Sequence, residues 1–399
     1  MKYSTMLPKN ILKLRSAIHD IQLRYLAQLS PKYKENVENK MLAWQIHSYG
    51  DLDELKLSNV RIPLITKPTQ VLIKVQAASV NPIDIAMIRG YGATLLNLMR
   101  KARSIGAYGN NDLIEFPLTL GRDFSGVVAS KGHGVGDKLK LGDEVWGVVP
   151  VEKQGCHANY VVVDSSLVNR RPQNLSYTEA ASILYAGLTA WSALWITGGL
   201  CYKTSIGTRL NRRMLVLGGS GGVGTMAIQL LKAWNMHVIT TCSSDAVNMV
   251  EKLGADVVID YKERDADAQI ISEGPYDIIL DCSNQGPDLI NSKGYPYYTY
   301  ITLNSPMLKN IDQLGLIAGS FKNLGDIFKY NIPKSDKKGT VKWGFFAPSE
   351  TGMNMLHDFV ECGQVVPVVK QIHSFQDLPA AYERVAQGHL RGKLVIDMR

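Results

Sequence analysis

The sequence predicts an α/β fold in which a parallel, helix-covered nucleotide-binding sheet is inserted into a β-rich domain, and three observations carry that expectation. Residues 214–234 read as a buried strand, a glycine turn and an amphipathic helix. Strand and helix patterns then alternate to about residue 303, as they do when strands run parallel with helices on both faces. Strand-like patterns lie on both sides of that stretch, at 41–163 and again at 394–397, so the chain leaves one domain and returns to it.

The central unit sets the rest. Gly219, Gly221 and Gly224 stand at the spacing of a dinucleotide fingerprint. The first is expected to permit a tight turn, the second a close approach of backbone to a pyrophosphate, the third close packing of helix on strand. Val223, Met226, Ala227, Leu230 and Leu231 repeat at helical spacing, and residues 237–241 supply the next strand. This is a Rossmann-type βαβ unit, with the helix N-terminus facing the phosphates. Where NAD binders place a carboxylate for the ribose 2′-hydroxyl, this chain has Thr240, Thr241, Cys242, Ser243 and Ser244. Small hydroxyl side chains leave room for a 2′-phosphate, so NADPH is the expected cofactor, with Asp245 one step beyond as the contrary signal.

At 399 residues the chain exceeds the size of one core, and two domains are expected. Hydrophobic residues make up 45% and charged residues 20%, an ordinary globular balance. The longest apolar stretch, 183–196, is shorter than a membrane span and reads as a buried core helix. Net charge is +8, but eight bases against three acids put +5 of it in the first 40 residues. The remainder is nearly balanced and carries no basic stripe interleaved with aromatics, which argues against nucleic acid. The first 40 residues have no acid before Asp20 and set Ile11, Leu12, Leu14 and Ile18 opposite the bases, as a mitochondrial presequence does. Five scattered cysteines with no C-x-x-C pair fit a reducing compartment and no zinc ribbon.

In chain order, strands are expected at 41–47, 71–77, 124–129, 144–149 and 158–163, forming a partly closed, barrel-like sheet. A helix is expected over 179–194 with Thr178 as its N-cap. Further strands fall at 256–259, 276–281 and 297–303, a loop-rich stretch at 322–338, and strand-like patterns at 357–369 and 394–397 around a helix at 378–386. The domain expectation is therefore a leader at 1–40, a catalytic domain at 41–185 and 347–399, and a nucleotide domain at 186–346.

Six motifs in the same order resemble the medium-chain dehydrogenase/reductase superfamily in its zinc-free, quinone-reductase-like branch. They are Asn81-Pro-Ile-Asp84 with Arg89-Gly90; Leu120-Gly-Arg-Asp-Phe-Ser-Gly126; Gly142-Asp-Glu-Val-Trp-Gly147; Ala180 through Trp191; Gly218 through Gly224; and Leu253-Gly-Ala-Asp256. The resemblance covers about residues 41–399 and implies a GroES-like catalytic domain around the Rossmann domain. It implies that Ser220, Gly222 and Val223 contact the pyrophosphate and that Ser243 and Tyr261 meet the adenosine ribose or its 2′-phosphate. Phe345 and the segment His389, Arg391, Gly392 and Lys393 would lie on the nicotinamide side. Lys262 is added here as a phosphate partner on charge alone. A mitochondrial subgroup of that branch is implicated in NADPH-dependent quinone reduction for ubiquinone biosynthesis and is linked to membrane-shaping reticulon proteins. A quinone substrate, biosynthetic or reticulon partners and a peripheral inner-membrane contact, in the mitochondrial matrix, are what that implies.

The zinc enzymes of the superfamily carry a cysteine where Asn81 stands and Gly-His-Glu where this chain has Gly121-Arg-Asp123. A guanidinium has no lone pair to give a metal, so no metal site is expected. Quinone reduction needs oriented rings and stabilised negative charge on the reduced oxygen. Asn81 is a candidate donor to a carbonyl, Tyr91 a candidate proton donor and Arg122 a candidate charge partner. Two rival readings stay open: reduction of an activated C=C bond in an enone or enoyl thioester, and a nonenzymatic nucleotide-binding scaffold.

Overall fold

The computed structural model describes residues 39–104, 115–201, 212–332 and 339–399. The presequence expected at 1–40 thus lies almost wholly outside the described residues.

The first strands are β1 (Lys40–Ile46), β2 (Lys56–Arg61), β3 (Gln70–Val80), β4 (Leu118–Thr119), β5 (Asp123–Lys131), β6 (Glu144–Val148), β7 (Tyr160–Asp164) and β8 (Val168–Arg170). Those that follow are β9 (Arg213–Leu217), β10 (His237–Cys242), β11 (Val257–Asp260), β12 (Tyr276–Asp281), β13 (Tyr297–Thr302), β14 (Thr340–Trp343), β15 (Val369–Ser374) and β16 (Lys393–Asp397). One small sheet runs β2-β1-β4. The seven-stranded sheet runs β15-β16-β3-β5-β6-β8 with β7 on β3, so strands from both ends of the chain share it. Between them the six-stranded sheet runs β11-β10-β9-β12-β13-β14, parallel throughout. Its order reverses between β9 and β12, the switch point at which doubly wound sheets hold dinucleotides.

Burial explains why these strands read as they do. Leu215 and Leu217 pack with Ile239, Ile279 and Tyr300 on one face, while Met214 and Val216 join Leu188, Ala227 and Leu231 on the other. Both faces are covered, so the strands are apolar throughout rather than alternating. The helical run Tyr177–Thr197 is long and apolar enough to cross a membrane, but most of it is buried in this core.

Three local expectations are corrected. The N-cap before the 177–181 helix is Ser176, not Thr178: Ser176 and Glu179 form a reciprocal capping box, and a break at Ser182 separates Tyr177–Ala181 from Leu184–Trp191. The expected loop at 322–338 is in large part helix, because Met307–Asn331 is helical with a kink at Gly315. Within that helix Gly319 allows close packing, since a Cβ there would lie 2.6 Å from Ile311 Cα, and residues 333–338 of the expected loop lie outside the described residues. Residues 350–361 of the C-terminal part form a helix capped by Ser349, which bounds the strand pattern to Val369–Ser374.

Candidate active site

The glycine turn divides its labour differently from the motif reading. Gly218, at φ +81°, makes the tight turn. Gly219 brings the turn against β10, since a Cβ there would lie 2.1 Å from Thr240 Oγ1. Gly224 packs the helix on the turn as expected, its Cβ position 2.2 Å from Gly218 O. Gly221 is the N-cap of Gly222–Ala233, which leaves the amides of Gly222, Val223 and Gly224 at the first helical turn, where helix geometry provides no internal acceptor. Ser220 is buried. These residues fit a pyrophosphate, and the fit depends on backbone rather than side chains.

The C-terminal segment closes on this turn. Gly392 N–H donates to Ser220 O at 2.9 Å, and Gly221 and Gly392 form an isolated parallel bridge. Gly388, His389 and Gly392 have φ of +69°, +50° and +85°. That turn sends neighbouring side chains in different directions, which corrects the expectation that the whole segment serves the nicotinamide side. Arg391 reaches the end of β10: its Nη2 donates to Ser243 Oγ at 2.6 Å, and its guanidinium pairs with Asp245 at 3.2 Å. The Arg391 hydrogen bond, with a second from Ser243, holds the Asp245 carboxyl down at about 2. Ser244 also bonds Asp260 at the end of β11, and exposed Tyr261 and Lys262 follow, so the candidate ribose and phosphate partners gather at one rim.

Lys393 turns inward. Its side chain passes the cradle, where a Cβ on Gly222 would lie 2.9 Å from Lys393 Cδ, and its ammonium donates to Asn81 Oδ1. Burial pushes Lys393 below the ordinary lysine value, partly offset by the charges of Asp123 and Asp84. Asn81 in turn donates from Nδ2 to Asp123 Oδ1 at 2.9 Å, and Ser79 Oγ donates to the same oxygen at 2.5 Å. The other Asp123 oxygen accepts Tyr185 N–H at 3.1 Å. Asn81 N–H donates to Asp84 Oδ2 at 2.8 Å, fixing the start of the 82–88 helix. Two acids, Asp84 and Asp123, and two bases, Arg122 and Lys393, are therefore buried in one connected group, and their charges offset.

Arg122 is not placed at a reacting atom, which corrects its expected role. It has no exposed surface; it donates to the carbonyls of Lys153 at 2.8 Å, Pro150 at 3.1 Å and Thr119 at 3.3 Å, and its Nε lies 3.7 Å from Asp84 Oδ1. It braces two loops and balances Asp84. Arg122→Met is accordingly expected to cost about 3 kcal/mol of stability by stranding Asp84. Turnover per folded molecule should stay within a few-fold of wild type, as checked by urea denaturation beside active-site titration.

Tyr91 sits between two positive-φ glycines, Gly90 and Gly92, and opens on a groove of about 400 Å³ with Pro82, Ile85, Ala86, Arg89 and the end of the 378–386 helix. Burial, then the Asp312 charge, raises its hydroxyl above the usual tyrosine value, so it is protonated at neutral pH. Asn81 and Lys393 do not line that groove, and the hydrogen bonds of Asn81 run to Asp123, Ser79, Asp84 and Lys393. Phe345 is exposed just past β14, and its carbonyl accepts Ser192 Oγ.

Sequence reading missed three members of this site. Asp123 is the hub that Asn81, Ser79 and Tyr185 share; its adjacency to Arg122 in the Gly-Arg-Asp motif was the available signal. Tyr185, stacked on Phe346 at 4.3 Å, had no signal beyond its place in the helix motif. Buried His157 accepts or donates between Tyr382 at 2.8 Å and Ser79 O at 3.1 Å, and burial lowers its pKa, so it is a neutral brace for the end of β3.

A doubly wound sheet with a glycine cradle, set inside a second β-rich sheet that presents Asn81 to it, defines the class as a medium-chain dehydrogenase/reductase. The family described as alcohol dehydrogenase GroES-like domain matches residues 67–173, and that described as zinc-binding dehydrogenase matches 253–396. The mitochondrial NAD(P)H oxidoreductase RTN4IP1 of Drosophila melanogaster is 46% identical, over 93% of this chain and 90% of its own length. Reticulon-4-interacting protein 1, mitochondrial, of Caenorhabditis elegans is 39% identical, over 89% and 94%. A quinone oxidoreductase structure from Coxiella burnetii superposes with a TM-score of 0.67 at 26% identity, over 90% of this chain and 100% of its own. The chain belongs to the RTN4IP1 family of NAD(P)H oxidoreductases.

The residues do not fit the zinc of the second family's description. Arg122 has no lone pair to offer, the Asn81 amide is committed to Asp123 and Lys393, and the Cys156 thiol donates to Asp123 O while burial pushes its pKa well up. Among the described residues no three His, Cys, Asp or Glu side chains gather as a metal site.

Proposed function

We propose that the chain is a mitochondrial, zinc-independent NADPH-dependent quinone reductase, and the observation that carries the reading is Lys393, which runs from the phosphate cradle at Gly222 to the Asn81 amide. Bound NADPH supplies a hydride to the acceptor. The amides of Gly222, Val223 and Gly224, with Ser220, hold the pyrophosphate, and Gly219, Gly221 and Gly392 let the backbone come close. Ser243, Arg391, Tyr261 and Lys262 face the 2′-phosphate; because Arg391 already neutralises Asp245, the carboxylate does not act there as a free repelling charge. Phe345 and His389 flank the nicotinamide end. Asn81, its amide held by Asp123, positions the Lys393 ammonium, which favours negative charge on the reduced oxygen and holds a proton for it. Tyr91, protonated, is the second proton source. Family membership supports an NAD(P)H oxidoreductase; the quinone, the NADPH preference, a ubiquinone-biosynthesis setting, a reticulon partner and matrix localisation are parts of this reading.

Steady-state kinetics with a short-chain ubiquinone analogue and with crotonyl-CoA, each with NADPH and NADH, tests it. The expected result is quinone-dependent oxidation of NADPH at least about tenfold above that of NADH, since one charge-assisted contact to the 2′-phosphate is worth a factor of that order. Crotonyl-CoA turnover abolished by Tyr91→Phe would instead identify a C=C reductase, and binding without turnover of either acceptor would identify a scaffold.

A further inference from the structure

Tyrosines in the interior of the protein spend their hydroxyls on protein partners: Tyr276 on Ile270 O, Tyr295 on Asp267, Tyr297 on Asn291, Tyr300 on Asp281 and Tyr382 on His157. Tyr185 does not. Its hydroxyl has no hydrogen-bond partner among the described residues, yet it is not sealed from solvent, and the residue is only part-buried. A phenol taken largely out of water ordinarily finds a partner, because a bond left unmade there is costly. One left free beside a cleft is available to a ligand.

The rest of the residue is held in place. Its N–H donates to Asp123 Oδ2 at 3.1 Å, so the carboxylate that fixes Asn81 also fixes the start of the Leu184–Trp191 helix. Its carbonyl accepts Thr189 Oγ1 at 2.7 Å. Its ring lies on Phe346 with centroids 4.3 Å apart and planes inclined by 23°, and Ser192, two turns further along the helical run, ties that segment down by donating to Phe345 O. The electrostatic neighbours of the hydroxyl are Asp84, Arg122, Asp123 and Tyr91, so it lies within reach of both the buried charged group and Tyr91. Burial, then the Asp84 charge, pushes its pKa far above the ordinary tyrosine value, and the phenol keeps its proton.

The site has charge but needs a directional donor for the acceptor. Asn81 does not supply it, since its Nδ2 donates to Asp123 and Ser79 and its Oδ1 accepts from Lys393. Lys393 brings a positive charge, whereas a carbonyl oxygen that gains negative charge is held best by a fixed donor aimed at it. We propose that the Tyr185 hydroxyl donates a hydrogen bond to the carbonyl oxygen of the acceptor, holding it for hydride transfer and stabilising the charge it gains. The assignment rests on the reductase reading above. The phenol keeps its proton throughout, and the proton that completes the reduced oxygen comes from Lys393 in that reading. A conjugated carbonyl, in a quinone or an enone, is the ligand class such a donor selects.

The test compares Tyr185→Phe, which removes the hydroxyl and leaves the ring on Phe346, with Tyr185→Leu, which removes both. For Tyr185→Phe the expected kcat with a short-chain ubiquinone analogue, per folded molecule, is about tenfold or more below wild type. NADPH affinity by fluorescence titration and melting temperature should be unchanged. The pH dependence of kcat should keep its shape, because the lost bond transfers no proton. A Tyr185→Phe rate equal to wild type beside a slow Tyr185→Leu would make the residue a packing element and overturn the assignment. Loss of the alkaline limb in Tyr185→Phe would also overturn it, by making the phenol the proton source. Crotonyl-CoA run in parallel separates the two readings. Wild type active on crotonyl-CoA alone would overturn the quinone reading, and Tyr185→Phe must then lose the same factor on that acceptor for the assignment to stand. Turnover of neither acceptor by wild type would overturn both.

Discussion

Lys393→Met is expected to lower kcat for a quinone about a hundredfold while NADPH still binds, the size of effect that loss of a positioned proton donor produces. Lys393 is the single cation that bonds Asn81 among the described residues, and methionine keeps its length without its charge. The pH profile separates a proton donor from a packing role. Because burial lowers the Lys393 pKa, the wild-type kcat should fall on the alkaline side before the ordinary lysine value of about 10.4 is reached, and the variant should lack that limb. Stability runs in the opposite sense. A folded pKa below the unfolded one means that the native state binds fewer protons, so the charged lysine costs stability below about pH 10 and that cost is relieved as pH rises through the unfolded value. Lys393→Met also leaves buried Asn81 Oδ1 without its donor and Asp123 less well balanced, so the variant should melt earlier than wild type at pH 7, by scanning calorimetry. A kcat within threefold of wild type, or an unchanged alkaline limb, would remove Lys393 from the chemistry.

Gly392→Ala has the second largest expected effect, and it acts through backbone. The residue sits at φ +85°, and a Cβ there would lie 2.2 Å from Val368 O. Relief of that clash must move the strand that carries Lys393 N–H to Val368 O at 2.9 Å, or break the bond from Gly392 to Ser220 O. The strained conformation and the lost hydrogen bonds together cost about 2–4 kcal/mol. Displacement of Arg391 and Lys393 from the cradle should weaken NADPH binding about tenfold or more, as followed by nucleotide fluorescence titration. Gly388→Ala, whose Cβ position meets nothing within 4 Å, is the control for backbone strain alone. Equal nucleotide affinity in both variants would mean that the C-terminal turn does not form part of the cradle.

Much of this site was legible as spacing. The glycines of 218–224 and the alternation of strand and helix follow from local chemistry: a turn that needs positive φ selects glycine, and strands covered on both faces are apolar throughout. The absence of a carboxylate within 240–244 and the Asn81 and Arg122 replacements are likewise properties of residue type. Local rules also had their limits in composition, as residues 322–331 show: read as loop, they are the end of a helix that packs closely at Gly319.

What residue types and their periodicity determined by themselves is the parallel nucleotide-binding fold, its glycine turn and the presence of Asn81 and Arg122 where zinc enzymes carry ligands, because each depends on neighbours a few residues apart. Only tertiary structure decided that Asp123 is the hub, that Arg122 is a brace, and that Arg391 and Lys393, two positions apart, reach different partners, Ser243 with Asp245 and Asn81. Those assignments rest on contacts between residues far apart in the chain, from 28 positions for Arg122 with Pro150 to 312 for Lys393 with Asn81. Side-chain direction across such separations is set by packing and burial of charge, which no local pattern encodes.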